Sequence, residues 1–90
     1  MNTVGTNTIN PKVTRVDPLE PYLLLVTFET GERRCFDLAP YLQWGVFQAL
    51  RDEIRFREVR AEAGGIAWPG GQDLSWDTLY LEGKEVNIPA

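Results

Sequence analysis

Between Tyr22 and Leu38 the chain reads Tyr-Leu-Leu-Leu-Val-Thr-Phe-Glu-Thr-Gly-Glu-Arg-Arg-Cys-Phe-Asp-Leu, and few folds accommodate that stretch. Tyr22, Leu24, Val26 and Phe28 recur at period two, which puts four large side chains on one face of a strand. Leu23 and Leu25 face the other way, so the first half of the strand is expected to be covered on both sides. Thr27 and Glu29 are expected to reach water near the turn. A two-residue loop at Thr30-Gly31 would set Glu29 opposite Glu32 and force β-branched Thr30 to positive φ. A three-residue loop over Glu29-Thr30-Gly31, with Gly31 left-handed as a bulge, avoids both costs. That register sets Phe36 beside Leu24 and Cys35 beside Leu25.

The remaining elements arrange themselves around this hairpin. Lys12 to Asp17 reads as a first strand, and Val13 and Val16 break strict alternation as an edge or bulged strand does. Pro18 and Pro21 bracket a connection expected to stop the ladder. Asp37 is a candidate cap for a turn through Leu38 to Leu42, with Pro40 tolerated in its first helical turn. Val46, Phe47, Leu50 and Ile54 follow helical spacing and predict one short helix, with Phe56 plugging the core beyond it. Glu58 to Glu62 and Ile66 to Trp68 predict a second hairpin turning at Gly64-Gly65, and Gly70-Gly71 a further turn. Asp73 or Ser75 is placed to cap a last helix over Trp76 to Leu81, which Gly83 ends. Glu85 to Ala90 is a tail that adds a strand or stays mobile.

The expected class is α+β: a small antiparallel sheet of two hairpins plus an N-terminal strand, with two short helices packed on it. Residues 1–10 are expected to form a flexible arm, polar and rich in Thr, and residues 11–90 a single domain.

Composition excludes several chemistries. The 90 residues contain no histidine and one cysteine. The usual zinc sites and any Ser-His-Asp or Cys-His arrangement therefore cannot be built within one chain. Neither glycine pair has the strand-to-helix setting or the following Lys-Ser/Thr of a phosphate loop. Net charge is −4, which disfavours nucleic acid held by phosphate neutralisation and suits a basic protein partner. The apolar run from Tyr22 to Val26 is too short to span a bilayer, and the N-terminus lacks the features of a secretory signal. The lone Cys35, set inside a strand, reads as a small core residue in a reducing cytoplasm.

Further along, Val16 precedes a proline, then come Tyr22-x-Leu-x-Val-x-Phe28, Thr30-Gly31, Asp37-Leu38, Phe47-x-x-Leu50 and Phe56-x-x-Val59. Gly65-Ile-x-Trp-Pro-x-Gly-x-Asp-Leu74 and Leu79-Tyr80 complete the series, the Trp-Pro-x-Gly-x-Asp-Leu piece being the most specific. Over residues 12 to 81 the chain resembles the bacterial family known as domain of unknown function 2442. That resemblance implies a small α+β domain without assigned catalytic residues. Some members stand alone, often encoded beside another small protein, which has prompted an antitoxin-like reading; others precede a helix-turn-helix. Trp76-Asp77 stands where the family pattern has Pro-Glu. No helix-turn-helix is expected after Ala90, so direct DNA binding is not carried over.

The reading that results is a non-enzymatic protein-interaction module with no cofactor and no metal, whose partner is a small, basic neighbouring protein. Candidate partner-binding residues are Trp44, Trp68 and Trp76, with Asp73 and Asp77 supplying polar complementarity. Trp44 and Trp76 are the surface candidates; Trp68 is expected to close the core between sheet and last helix. Asp73 and Asp77, one helical turn apart, would first serve as cap and helix-start charge. The alternatives are a self-associating protein pairing through Lys12 to Asp17 or Val86 to Ile88, and a metal-assisted enzyme using Asp73 and Asp77. Arg51, Arg55, Arg57 and Arg60 run beside Asp52, Glu53 and Glu58 and are expected to be self-paired on a solvated face; with Arg33 and Arg34 they would form one basic patch if the hairpin lies alongside.

Overall fold

The structure is a computed structural model and describes residues 9–86; residues 1–8 of the expected arm and 87–90 of the tail, Ile88 included, lie outside the described residues. The first strand, β1, is Val13–Leu19, followed by β2 (Leu23–Phe28) and β3 (Arg33–Asp37) in an antiparallel meander. β1 is an edge strand and carries a register shift between Val13 and Arg15, which accounts for its broken alternation. Pro18 and Leu19 were expected outside the ladder, yet they pair with Leu24 and Leu23. An edge strand tolerates this, because the nitrogen that lacks a proton can face the open side.

The hairpin of β2 and β3 has the predicted register, Leu24 opposite Phe36 and Leu25 opposite Cys35. Its loop is the three-residue bulge: Gly31 sits at φ 91°, its N–H donates to the Phe28 carbonyl (2.8 Å), and the Phe28 N–H donates to the Glu32 carbonyl (2.9 Å). Leu24, Val26 and Phe28 are buried, whereas Leu23, Leu25 and Thr27 on the opposite face are half-buried.

After β3 the chain departs from expectation. The single helix predicted from Val46 to Ile54 is instead a 3-10 helix, Gly45–Arg51, and one turn of α-helix, α1 (Glu53–Phe56), preceded by another 3-10 helix at Ala39–Gln43. Asp52 is the break: its backbone is extended, and its Oδ1 accepts from the Ile54 N–H (3.0 Å), capping α1. A 3-10 segment turns every three residues, so spacings chosen for 3.6 no longer share a face. Leu50 and Phe56 reach the core, but Val46 and Ile54 are left 65% and 75% exposed.

The second hairpin forms its own sheet, so the two hairpins do not share one. It comprises β4 (Arg60–Glu62), β5 (Gly65–Ala67) and β6 (Asp73–Leu74) in that order. Its first turn is Ala63-Gly64, both at positive φ, and not Gly64-Gly65. Gly65 already belongs to β5, where an added Cβ would lie 2.4 Å from the Leu74 carbonyl oxygen. The loop Pro69-Gly70-Gly71 repeats the geometry of the first hairpin: the Trp68 N–H donates to the Gln72 carbonyl, the Gly71 N–H to the Trp68 carbonyl, and Gly71 sits at φ 98°.

Ser75, not Asp73, caps the last helix, α2 (Trp76–Glu82), its Oγ accepting from the Thr78 N–H. The tail then adds a strand, β7 (Lys84–Glu85), beside β3. The two sheets are joined by a hydrogen bond from the Val13 N–H to the Gly64 carbonyl (2.8 Å) and by one core that gathers Phe28, Phe36, Ile66, Trp68 and Leu79. The architecture is α+β.

A charged cluster secures α2 to the first sheet. The Tyr80 hydroxyl donates to Glu32 Oε1 (2.8 Å), and Arg34 pairs with Glu32 (2.7 Å) while lying 3.9 Å over the Tyr80 ring. The Tyr80 hydroxyl, with Arg34 helping, holds the Glu32 carboxyl below the usual carboxylate range despite its partial burial. Arg34 also donates to the Tyr80 carbonyl (2.8 Å) at the end of the helix. Among the described residues no helix is long and apolar enough to cross a membrane.

Candidate functional site

The segment after β3 places aromatic residues at the surface. Asp37 Oδ1 accepts from the Ala39 N–H (3.0 Å) and starts the first 3-10 helix, with Pro40 in its opening turn. Leu42 points inward from that helix and anchors it. Three-residue periodicity brings Tyr41 and Trp44 together on the outer side, ring centroids 5.8 Å apart in an edge-on arrangement. Trp44 has extended backbone, terminates the helix and is 57% exposed. Tyr41 also packs on Phe36 and Phe47, at 5.6 Å and 5.7 Å, so one wall of this corner is rigid.

The Tyr41 hydroxyl reaches across to the end of α2 and donates to Glu82 Oε1 (2.7 Å). Burial, reinforced by the hydrogen bond and charge of Glu82, pushes the Tyr41 phenol up to about 12, so it stays a neutral donor near neutral pH. Phe36, Asp37, Pro40, Tyr41, Trp44 and Glu82 together line an open cleft of about 520 Å³. Two carboxylates and three aromatic rings line one space, with no basic residue among its described walls.

A second cleft, of about 460 Å³, lies between α1 and the Pro69-Gly70 turn, and exposed Ile54 forms part of its wall. Its charges are mixed, Asp52 and Glu58 against Arg55.

The sequence-predicted residues do not converge on one place. Trp44 is exposed as expected and lines the aromatic cleft. Trp68 is 2% exposed, and its indole N–H donates to the Phe56 carbonyl (2.9 Å), so it closes the core and offers no surface to a partner. Trp76 was expected at the surface but is half-buried: it packs against Gly64, Lys12 lies 5.3 Å over its ring, and its indole N–H is buried without an acceptor among the described residues. Asp73 is exposed in β6 and shares a shallow depression with Trp76. Asp77 is exposed in the first turn of α2 and accepts from the Asn10 side chain (3.0 Å). Because Asp73 belongs to a strand, the helical spacing proposed for the two acids does not apply. Among the described residues no group of three or more potential metal ligands gathers.

Most of the basic residues are internally engaged. Arg55, Arg57 and Arg60 pair with Asp52, Glu20 and Glu62, and Arg51 donates to the Leu42 carbonyl. Arg34 belongs to the Glu32–Tyr80 cluster, and Arg33 is exposed on β3. Sequence reasoning missed Tyr41 and Glu82 as site residues and took Asp37 only as a cap. The available signal was the three-residue step from Tyr41 to Trp44 beside a proline; nothing local marks Glu82, which is 41 positions from Tyr41.

No curated protein and no solved structure matches the chain. A family match runs from residue 13 to residue 85, from the first residue of β1 to the last of β7, and so takes in every strand and helix described above. The chain belongs to the family described as protein of unknown function, DUF2442.

Proposed function

We propose that the chain is a non-enzymatic interaction module that docks a small, basic protein in the cytoplasm through the surface around Trp44. The observation that carries this reading is the exposed indole of Trp44 beside Tyr41, in a cleft rimmed by acids and fixed by the core beneath it. Aromatic side chains on a rigid base are the residues that most often anchor a protein interface. The net charge of −4 favours a partner of opposite sign. Family resemblance adds that the partner is encoded nearby and that binding neutralises it, as an antitoxin does.

The test is affinity capture from native cells at moderate salt, comparing the natural chain with Trp44→Ala. A stoichiometric small basic protein, captured by the first and lost by the second, supports the reading. Capture that ignores the substitution refutes the anchor. Self-association through β1 ranks second, because that strand is an edge with Leu19 exposed. Pro18 and the Arg15–Asp17 pair blunt the same edge, and light scattering over a dilution series separates the two readings.

A further inference from the structure

The same tyrosine–glutamate pair occurs twice in this molecule. Tyr80 donates to Glu32 and Tyr41 donates to Glu82, at 2.8 Å and 2.7 Å. In the first pair Arg34 completes the arrangement, its guanidinium over the tyrosine face and paired with the carboxylate. In the second pair no described cation lies within ion-pair distance of Glu82 or of neighbouring Asp37.

We infer that the Tyr41–Trp44 cleft is an arginine site, filled by one arginine side chain of a basic protein partner. The inference rests on the interaction-module reading and names the chemistry of its surface. Each carboxylate gives one oxygen to an internal donor, Asp37 to the Ala39 N–H and Glu82 to the Tyr41 hydroxyl, and the other oxygen of each has no described partner. A planar guanidinium stacks on an aromatic face and forks onto carboxylate oxygens at the same time, which a compact ammonium does less well. The exposed Trp44 ring supplies the face and the two acids the charge. A cleft of about 520 Å³ is ample for such a side chain.

The test uses three blocked pentapeptides, Gly-Gly-X-Gly-Gly, with X arginine, lysine or the neutral isostere citrulline, titrated into the full chain. Binding is followed by the Trp44 indole N–H resonance, with the buried Trp68 resonance as internal reference. The arginine peptide is expected to give a saturable, salt-sensitive shift, with affinity about tenfold above that of citrulline and several-fold above that of lysine. Glu82→Gln, an exposed helix-end change, is expected to weaken the arginine peptide about tenfold while the Trp68 resonance stays in place. Equal binding of citrulline, indifference to Glu82→Gln, or no shift with any peptide overturns the assignment. The capture experiment separates this inference from the broader reading. A partner lost with Trp44→Ala but retained with Glu82→Gln refutes the arginine site and leaves the module standing. Arginine-peptide binding without a captured partner upholds the site and counts against the module.

Discussion

Replacing Gly65 by alanine tests how tightly the second sheet is assembled. The new Cβ would lie 2.4 Å from the Leu74 carbonyl oxygen, and real Cβ contacts essentially never fall below 3.0 Å. β5 and β6 must therefore separate locally by at least 0.6 Å, the difference between those distances. The obstructing atom is backbone, in a strand paired through Ile66 and Leu74, so no side chain can rotate away. Overpacking of this kind costs about 1–3 kcal/mol, and a backbone obstacle puts the cost at the upper end. Reduced entropy of the unfolded chain returns about 0.4–1 kcal/mol, leaving a net loss of about 2 kcal/mol. Gly71→Ala is the control: nothing lies within 4 Å of its added Cβ, but φ is 98°, so only left-handed strain of about 1 kcal/mol is incurred. Urea unfolding by linear extrapolation measures both, provided the slopes agree with that of the natural chain. In thermal melts Gly65→Ala should fall by about 8–16 °C. A loss for Gly65→Ala no larger than that for Gly71→Ala would refute the steric reasoning.

Three other outcomes follow from the same geometry. Trp68→Phe deletes the N–H that serves the Phe56 carbonyl and should cost about 1–3 kcal/mol in urea unfolding, more than Trp44→Phe at the exposed position. Asp52→Ala removes the acceptor for the Ile54 N–H and should cost about 1 kcal/mol, most of it restored by Asp52→Asn, as read from melting temperatures. The Tyr41 phenol, raised from 10 to about 12 in the folded state, contributes stability that is fully present below pH 10 and is lost as pH rises from 10 to about 12. Tyr80 is raised in the same direction, so melts of Tyr41→Phe from pH 8 to 12 should show a shallower alkaline decline than the natural chain, not a flat one.

The hairpin at Tyr22 to Leu38 was legible because two independent constraints, period-two burial and turn chemistry, allowed only one register. The second bulged loop escaped notice at the same level because Trp68-Pro69-Gly70-Gly71 presents two glycines, and only the pairing shows which one is left-handed. The segment from Gly45 to Phe56 misled for a different reason. Its apolar residues fit a 3.6 period, but Asp52 offers its own carboxylate to a following N–H and restarts the helix there. Two of the four residues assigned to the core face are consequently exposed. Trp68 was correctly expected in the core. Trp76 was misjudged because the Ala63-Gly64 turn and Lys12, remote in sequence, come to cover it. The cleft itself was illegible, since one of its walls, Glu82, arrives through tertiary packing alone.

The clasp between Arg34 and the end of α2 bears on the order in which the molecule assembles. Strands β1 to β3 close through short loops, as do β4 to β6, so both sheets can nucleate locally. The bond from Arg34 to the Gly83 carbonyl joins groups 49 positions apart, and the entropy of closing so long a loop is recovered only once the intervening chain is ordered. Docking of α2 and β7 is thus expected to come late in folding and to reverse first. Glu82 rides on that late piece while Tyr41 and Trp44 follow directly on β3, so the cleft exists only when the last step has been taken. A guest gripped from both sides would act as a latch on that step, giving the chain its full resistance to unfolding only in company.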